Sequence, residues 1–257
     1  MRIPALAWAG EDGFRYWDAG LGRLGRVPAT APWRPEPVAT VPDGSAFGWV
    51  TPLGDDLILA GSFSRHTLFS RWRPGDASPT DLGELPPIAG RNWEPTSGPM
   101  PVTGALHPDG SRVALAYSHS GELVIARTSD GETLSLSRHG DWDEATNEVE
   151  SRTSSTGMKV EYSYLTSPIG YMGICATETA IYALWVGVPM SRESSTMMAG
   201  IDPREIHVYD WDGQLKAILR TDHPVLQPYV AGDRLYTIWP EPIPEVRVWD
   251  LSEVPGL

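Results

Sequence analysis

The chain has 257 residues, a formal net charge of −13, 41% hydrophobic and 21% charged residues, and a single cysteine. An acid excess of that size repels phosphate backbones, and the arginines are dispersed, with only Arg71 and Arg73 two apart, so the reading excludes nucleic acid as a partner. No window approaches the roughly 18 apolar residues of a spanning helix, so no membrane insertion is expected, and Cys175 alone makes neither a disulfide framework nor a cysteine zinc site.

Met1-Arg-Ile-Pro-Ala-Leu-Ala-Trp-Ala-Gly10 opens the chain with one positive charge and a short, proline-interrupted apolar run, a poor match to a secretory signal. The expectation is cytoplasmic if Met1 is the native start, extracytoplasmic if an export signal has been removed. A first strand group runs from Leu6-Ala-Trp-Ala9 through Phe14-Arg-Tyr-Trp17 and Leu24-Gly-Arg-Val27 to Pro37-Val-Ala-Thr-Val41. A second comprises Phe47–Val50, Leu57–Ala60, His66–Phe69 and Thr80–Leu82; a third comprises Val102–Leu106, Arg112–Tyr117, Glu122–Ala126 and Thr133–Leu136. Residues 140–170 hold one plausible strand, Met158–Leu165, after the polar run Asp141–Thr156, which reads as a degenerate blade or a rim loop. The next group is Tyr171–Ile174, Ala180–Val186, Ile206–Tyr209 and Leu215–Leu219, interrupted by a loop insertion over 188–204. The last, Leu226 to Asp250, shows only three strands.

Five Asp-Gly pairs, at Asp12, Asp43, Asp109, Asp130 and Asp212, punctuate these groups. Both residues tolerate positive φ, which matches the twist of hairpin strands. The 26 Gly and 24 Pro are scattered, as many short strands with many turns require. No segment of a dozen residues keeps a 3.6 period, so few helices are expected. Hairpins recurring at blade spacing predict an all-β fold: a single β-propeller domain over 1–257, its blades of up to four antiparallel strands. The missing fourth strand of the last group predicts closure by pairing of the terminal segments. The 11 Trp, against 4 Phe, read as padding between blades. Strand rhythm gives five groups and a candidate sixth.

Ala180-Ile-Tyr-Ala-Leu-Trp-Val-Gly187, an insertion, Ile206-His-Val-Tyr-Asp-Trp-Asp-Gly-Gln-Leu215 and Asp233-Arg-Leu-Tyr-Thr-Ile238 together resemble the C-terminal half of the TolB-like six-bladed β-propeller family. The match covers residues 100 to 251; the first hundred fit by strand rhythm. The resemblance implies six blades, with five the alternative, and carries no catalytic motif to transfer. The chain departs from the family in lacking a lipoprotein start and a "GrGPGE"-like segment near its first blade.

Gly20-Leu-Gly-Arg-Leu-Gly25 has the letters of a dinucleotide fingerprint, but no helix follows it to hold a pyrophosphate, so it reads as a turn. No two of the six histidines have zincin spacing, and Gly-x-Ser-x-Gly is absent. His207 alternates with Ile206 and Val208 and reads as the polar side of a sheet face. Asp141, Asp143, Glu144, Glu148 and Glu150 form the densest acidic run; a solvated loop is the plain reading, calcium the alternative. Cys175 reads as a small buried hydrophobe, and Met197 and Met198 as loop padding or an adaptable surface. No cofactor is predicted beyond that calcium. The leading functional expectation is a non-catalytic binding or scaffold propeller recognising a protein or glycan through rim loops or the channel mouth. The alternative is a calcium-dependent hydrolase or lyase. Arg91, Trp93 and Glu94, together in a connection between strand groups, are the candidate binding residues; Trp33 and Trp142 are further sugar-stacking candidates. The sequence does not specify an oligomeric state.

Overall fold

The computed structural model describes residues 6–10, 13–18, 21–30, 33–42, 47–62, 66–85, 102–118, 121–139, 147–153, 159–165, 169–188, 203–239 and 245–254. These residues contain no helix; every regular element is a strand. The first sheet has the order β1 (Leu6–Gly10), β2 (Gly13–Asp18), β3 (Arg23–Pro28) and β4 (Glu36–Thr40). The second is β5 (Trp49–Leu53), β6 (Asp56–Ala60), β7 (Thr67–Trp72) and β8 (Thr80–Glu84). The third is β9 (Val102–Leu106), β10 (Arg112–Tyr117), β11 (Glu122–Arg127) and β12 (Thr133–Arg138). A two-stranded hairpin, β13 (Asn147–Thr153) with β14 (Lys159–Leu165), follows. The fourth sheet is β15 (Ile169–Ala176), β16 (Ala180–Val188), β17 (Glu205–Asp210) and β18 (Leu215–Arg220). The fifth has three strands, β19 (Pro228–Ala231), β20 (Arg234–Trp239) and β21 (Glu245–Asp250).

The five larger sheets are the blades of a β-propeller. Among the described residues the count is five, the alternative to the six that the resemblance implied. The candidate sixth group is the β13–β14 hairpin, whose first strand lies inside the polar run before Met158, in the stretch read as a degenerate blade or a rim loop. The ends at which terminal pairing was expected include residues 1–5 and 255–257, which lie outside the described residues; β1 itself pairs with β2.

Local chemistry explains the turns. Gly110, Gly131 and Gly213, each the second residue of an Asp-Gly pair, have φ of 74°, 77° and 81°. The side chain of Asp109 accepts from Ser111 N at 2.7 Å, Asp130 from Glu132 N at 3.0 Å, and Asp210 from Asp212 N at 3.0 Å and Gln214 N at 2.8 Å. Each turn thereby satisfies amides that the strand ladder leaves open. Leu21 and Gly22, inside the Gly20–Gly25 run, form the turn that leads into β3, and a strand rather than a helix follows.

The chain forms two compact units: residues 1–86, 92–115 and 125–135, and residues 87–91, 116–124 and 136–257. In the first, Trp17 and Leu24 pack with Val41, Phe47, Val50, Leu57, Leu59 and Trp72, so the first sheet lays one face on the second. Trp17 Nε1 donates to Phe47 O at 3.3 Å, which satisfies the indole inside that core. Asp56 is buried between strands but accepts from Arg71 and Arg73 at 2.5 and 2.8 Å. Burial alone would raise its carboxyl, and the two arginines outweigh burial and hold it below its ordinary value. Gly83 and Gly131, both at positive φ, meet backbone to backbone with no room for a Cβ on either. In the second unit, Tyr182, Leu184, Ile206 and Val208 of the fourth sheet share a core with Val230 and Leu235 of the fifth.

Candidate functional site

Arg91, Trp93 and Glu94 lie outside the described residues, as do Trp142, Asp141, Asp143, Glu144, Met197 and Met198. Glu148 and Glu150 fall on β13, where only the backbone is described. Trp33 is 72% exposed. Among the described residues no three His, Cys, Asp or Glu side chains converge as a metal site would require. Cys175 is half-buried against the core of the second unit, where burial pushes its thiol up to about 12. A cleft of about 440 Å³ in the first unit is lined by Val38, Ala39, Thr40, Pro42, Trp72 and Asp76 among others; one carboxylate makes no convergent polar set.

His207 is a correction. Its strand alternates as expected, with Ile206 and Val208 on the opposite face, but the face it occupies is packed, not a polar surface. The imidazole has no exposed area. It stacks on Trp185 with ring centroids 5.3 Å apart and planes at 21°, and meets the His139 ring edge-on at 4.2 Å. Nδ1 is 3.1 Å from Tyr171 Oη, which is itself 2.7 Å from Tyr209 Oη. Nε2 lies 3.7 Å from Glu205 Oε2, too far for a hydrogen bond, and is buried. Glu205 is also held by Arg220 at 2.9 Å. Burial, and next the neighbouring His139, lower the His207 pKa to about 4 against the opposing pull of Glu205. Burial likewise raises the phenols of Tyr171 and Tyr209. Catalytic residue types therefore do converge here, in one buried hydrogen-bonded network. A general base must come within hydrogen-bond reach of the proton it abstracts, and no atom of this imidazole is exposed.

The feature that sequence reasoning missed is on the last sheet. In the second, third and fourth blades the third strands β7, β11 and β17 are mostly buried, while the fourth strands β4, β8, β12 and β18 of the first four blades are mostly exposed. β21 is third in its sheet, yet carries the exposed pattern of a fourth strand. Register gives the reason. Val230, Leu235 and Trp249 pair across the three strands and pack on the fourth sheet. Tyr229, Tyr236 and Val248 form the next row, Ile238 and Val246 another, and both rows point to the opposite face. There Tyr229 is 62% exposed, Val246 69%, Val248 50% and Ile238 44%. Arg234 and Asp250 are opposite each other at the end of the same face.

No family model matches the chain, and no curated protein matches it. Solved structures do. A member of the DUF4221 family from Bacteroides vulgatus is similar with a TM-score of 0.59 and 11% identity, over 96% of this chain and 77% of that one. A catalytically inactive virginiamycin B lyase from Staphylococcus aureus, with quinupristin, gives 0.48 and 13%, over 96% and 70%. A gluconolactonase from Xanthomonas campestris gives 0.48 and 12%, over 87% and 64%. The likeness is one of fold. At such identities the β-propeller is shared, and the sites grafted on it are not thereby shared.

Proposed function

We propose that this chain is a non-catalytic binding propeller that recognises a protein partner, and that the outer face of the last sheet is its contact surface. The exposed rows Tyr229, Tyr236, Val248 and Ile238, Val246 carry this reading. Tyr229, Ile238, Val246 and Val248 are each at least 44% exposed, so aromatic and branched side chains lie uncovered together on one face. Aromatic and β-branched residues in a flat sheet suit a protein surface better than a glycan, which would need several polar groups beside its stacking ring. The rigid blade beneath holds the rows in place with little ordering cost on binding. The wording of Ala180–Gly187 and Ile206–Leu215 keeps the TolB-like family as the nearest reading within the propellers. The calcium-dependent hydrolase alternative has no donor set in its favour among the described residues.

The test is retention of binding proteins by immobilised full-length chain against a Val246→Glu variant with an unchanged melting temperature. Proteins held by the wild type and released by the variant support the reading. Equal retention by both, or none by either, removes this face from the function.

A further inference from the structure

We infer that Asp212 is a site of spontaneous isoaspartate formation: among the described residues it is the one Asp-Gly pair whose carboxyl is free to close on the amide of the glycine after it. The reaction needs no reagent but water. The Gly213 nitrogen attacks Cγ of the Asp212 carboxylic acid, a C–N bond forms, and the carboxyl hydroxyl leaves with the amide proton as water. The product is a five-membered succinimide. Water then adds to one of its two carbonyls. Attack at Cγ restores aspartate; attack at the backbone carbonyl breaks that carbon's bond to nitrogen and leaves the chain running through Cβ. Glycine favours closure because it has no Cβ to crowd the attacking nitrogen.

All five Asp-Gly pairs share that chemistry, and Asp12 and Asp43 lie outside the described residues. The three described turns differ in what holds the carboxyl. Asp109 accepts from Ser111 N at 2.7 Å and lies 2.6 Å from His107 Nδ1. Asp130 accepts from Glu132 N at 3.0 Å and from Arg127 at 2.8 Å. Hydrogen bonds from Ser111 at Asp109, and from Glu132 and then Arg127 at Asp130, keep both carboxyls below their ordinary pKa and so ionised, without the hydroxyl that must leave. In the turn between β17 and β18 the holding falls to Asp210 instead. Its Oδ1 accepts from Asp212 N and Gln214 N, and its Oδ2 pairs with Lys216 at 2.7 Å. Asp212 is left exposed, and among the described residues no hydrogen bond or ion pair holds its carboxyl. The glycine amides do not separate the three sites, since Gly110, Gly131 and Gly213 each donate to a backbone carbonyl, at 2.8, 2.9 and 3.0 Å. The change would be felt locally. Gly213 O accepts from Ser137 Oγ at 2.5 Å, and Trp211 Nε1 donates to Thr177 O at 3.0 Å. An isoaspartyl link adds one carbon to the backbone between these two anchors, so the turn has to re-form.

Ageing of the full-length folded chain at mildly acidic pH tests this, with peptide mapping and enzymatic methylation of isoaspartyl groups as the readouts. Isoaspartate should accumulate at Asp212 about tenfold faster, or more, than at Asp109 or Asp130, the factor set by one hydrogen bond to a charged group that must break before either can react. The succinimide intermediate should show in the same peptide as the loss of one water. In urea the three sites should react at similar rates, because each has glycine next to it. Asp212→Glu, which cannot close a five-membered ring, should remove the signal and leave melting unchanged, since the position is exposed. Equal rates at the three sites in the folded chain, or an Asp212 that stays intact, overturn the inference. A lead for Asp212 that persists in urea also overturns it, since local sequence and not the folded turn would then set the rate.

Discussion

Acid should weaken this fold through His207. The ordinary histidine pKa of 6.5 is lowered to about 4 in the folded chain, first by burial and then by His139. A group with a depressed folded pKa that is charged when protonated favours the folded state above its unfolded pKa. Between pH 6.5 and pH 4 the unfolded chain holds one more proton, so stability falls with pH through that window and levels off below it. The full effect is about 3 kcal/mol, and about 2 kcal/mol of it develops between pH 7.5 and pH 5. Other groups titrate there too, notably carboxylates, so the useful quantity is a difference of differences. Urea unfolding of wild type and His207→Gln at the two pH values should show the wild type losing about 2 kcal/mol more than the variant. Gln keeps a neutral acceptor near Tyr171 and removes the titration. Titration of the His207 ring by NMR gives an independent reading of the same pKa. Equal losses in both proteins, or a ring that titrates near 6.5, would refute the account of His207 as an imidazole held neutral by its surroundings.

Two further outcomes follow from local geometry. Gly131→Ala should cost more than Gly54→Ala in urea unfolding: both sit at positive φ, about 1–3 kcal/mol for any other residue, but Gly54 opens on empty space and Gly131 on the backbone of Gly83. Equal losses would mean that this close approach does not constrain the fold. Cys175, with its thiol pushed up to about 12 by burial, should resist alkylation at pH 8 in the native protein and react readily in urea. Native labelling at the unfolded rate would show an accessible thiol.

The strand groups were legible in the sequence because period-2 apolar runs bounded by Asp-Gly turns report the pleat directly. The grouping of all five sheets follows from it, down to the three strands of the last. β13 was not legible. Asn147-Glu-Val-Glu-Ser-Arg-Thr153 has one apolar residue, so no alternation distinguishes it from a solvated loop. The resemblance carried the blade count past what strand rhythm alone supported. His207 was placed on the correct side of its strand, but alternation cannot tell a wet face from one covered by the neighbouring Tyr171, Trp185 and His139. A signal did exist, since Tyr209 and His207 share that face and Trp185 lies on the adjacent strand. The uncovered last face was hidden for the same reason. Tyr236, Ile238, Val246 and Val248 read like any buried blade positions, and only the three-dimensional arrangement reveals which rows lack a cover.

The third position of β21 has one more consequence. Among the described residues no strand pairs with its outer edge, and an edge of that kind offers backbone donors and acceptors on which fibrils template their growth. Its sequence, Glu-Val-Arg-Val-Trp-Asp, spaces charge through what would otherwise be a sticky β segment. Glu245, Arg247 and Asp250 therefore act as guards of solubility, and neutral replacements there would threaten the protein's shelf life before its fold.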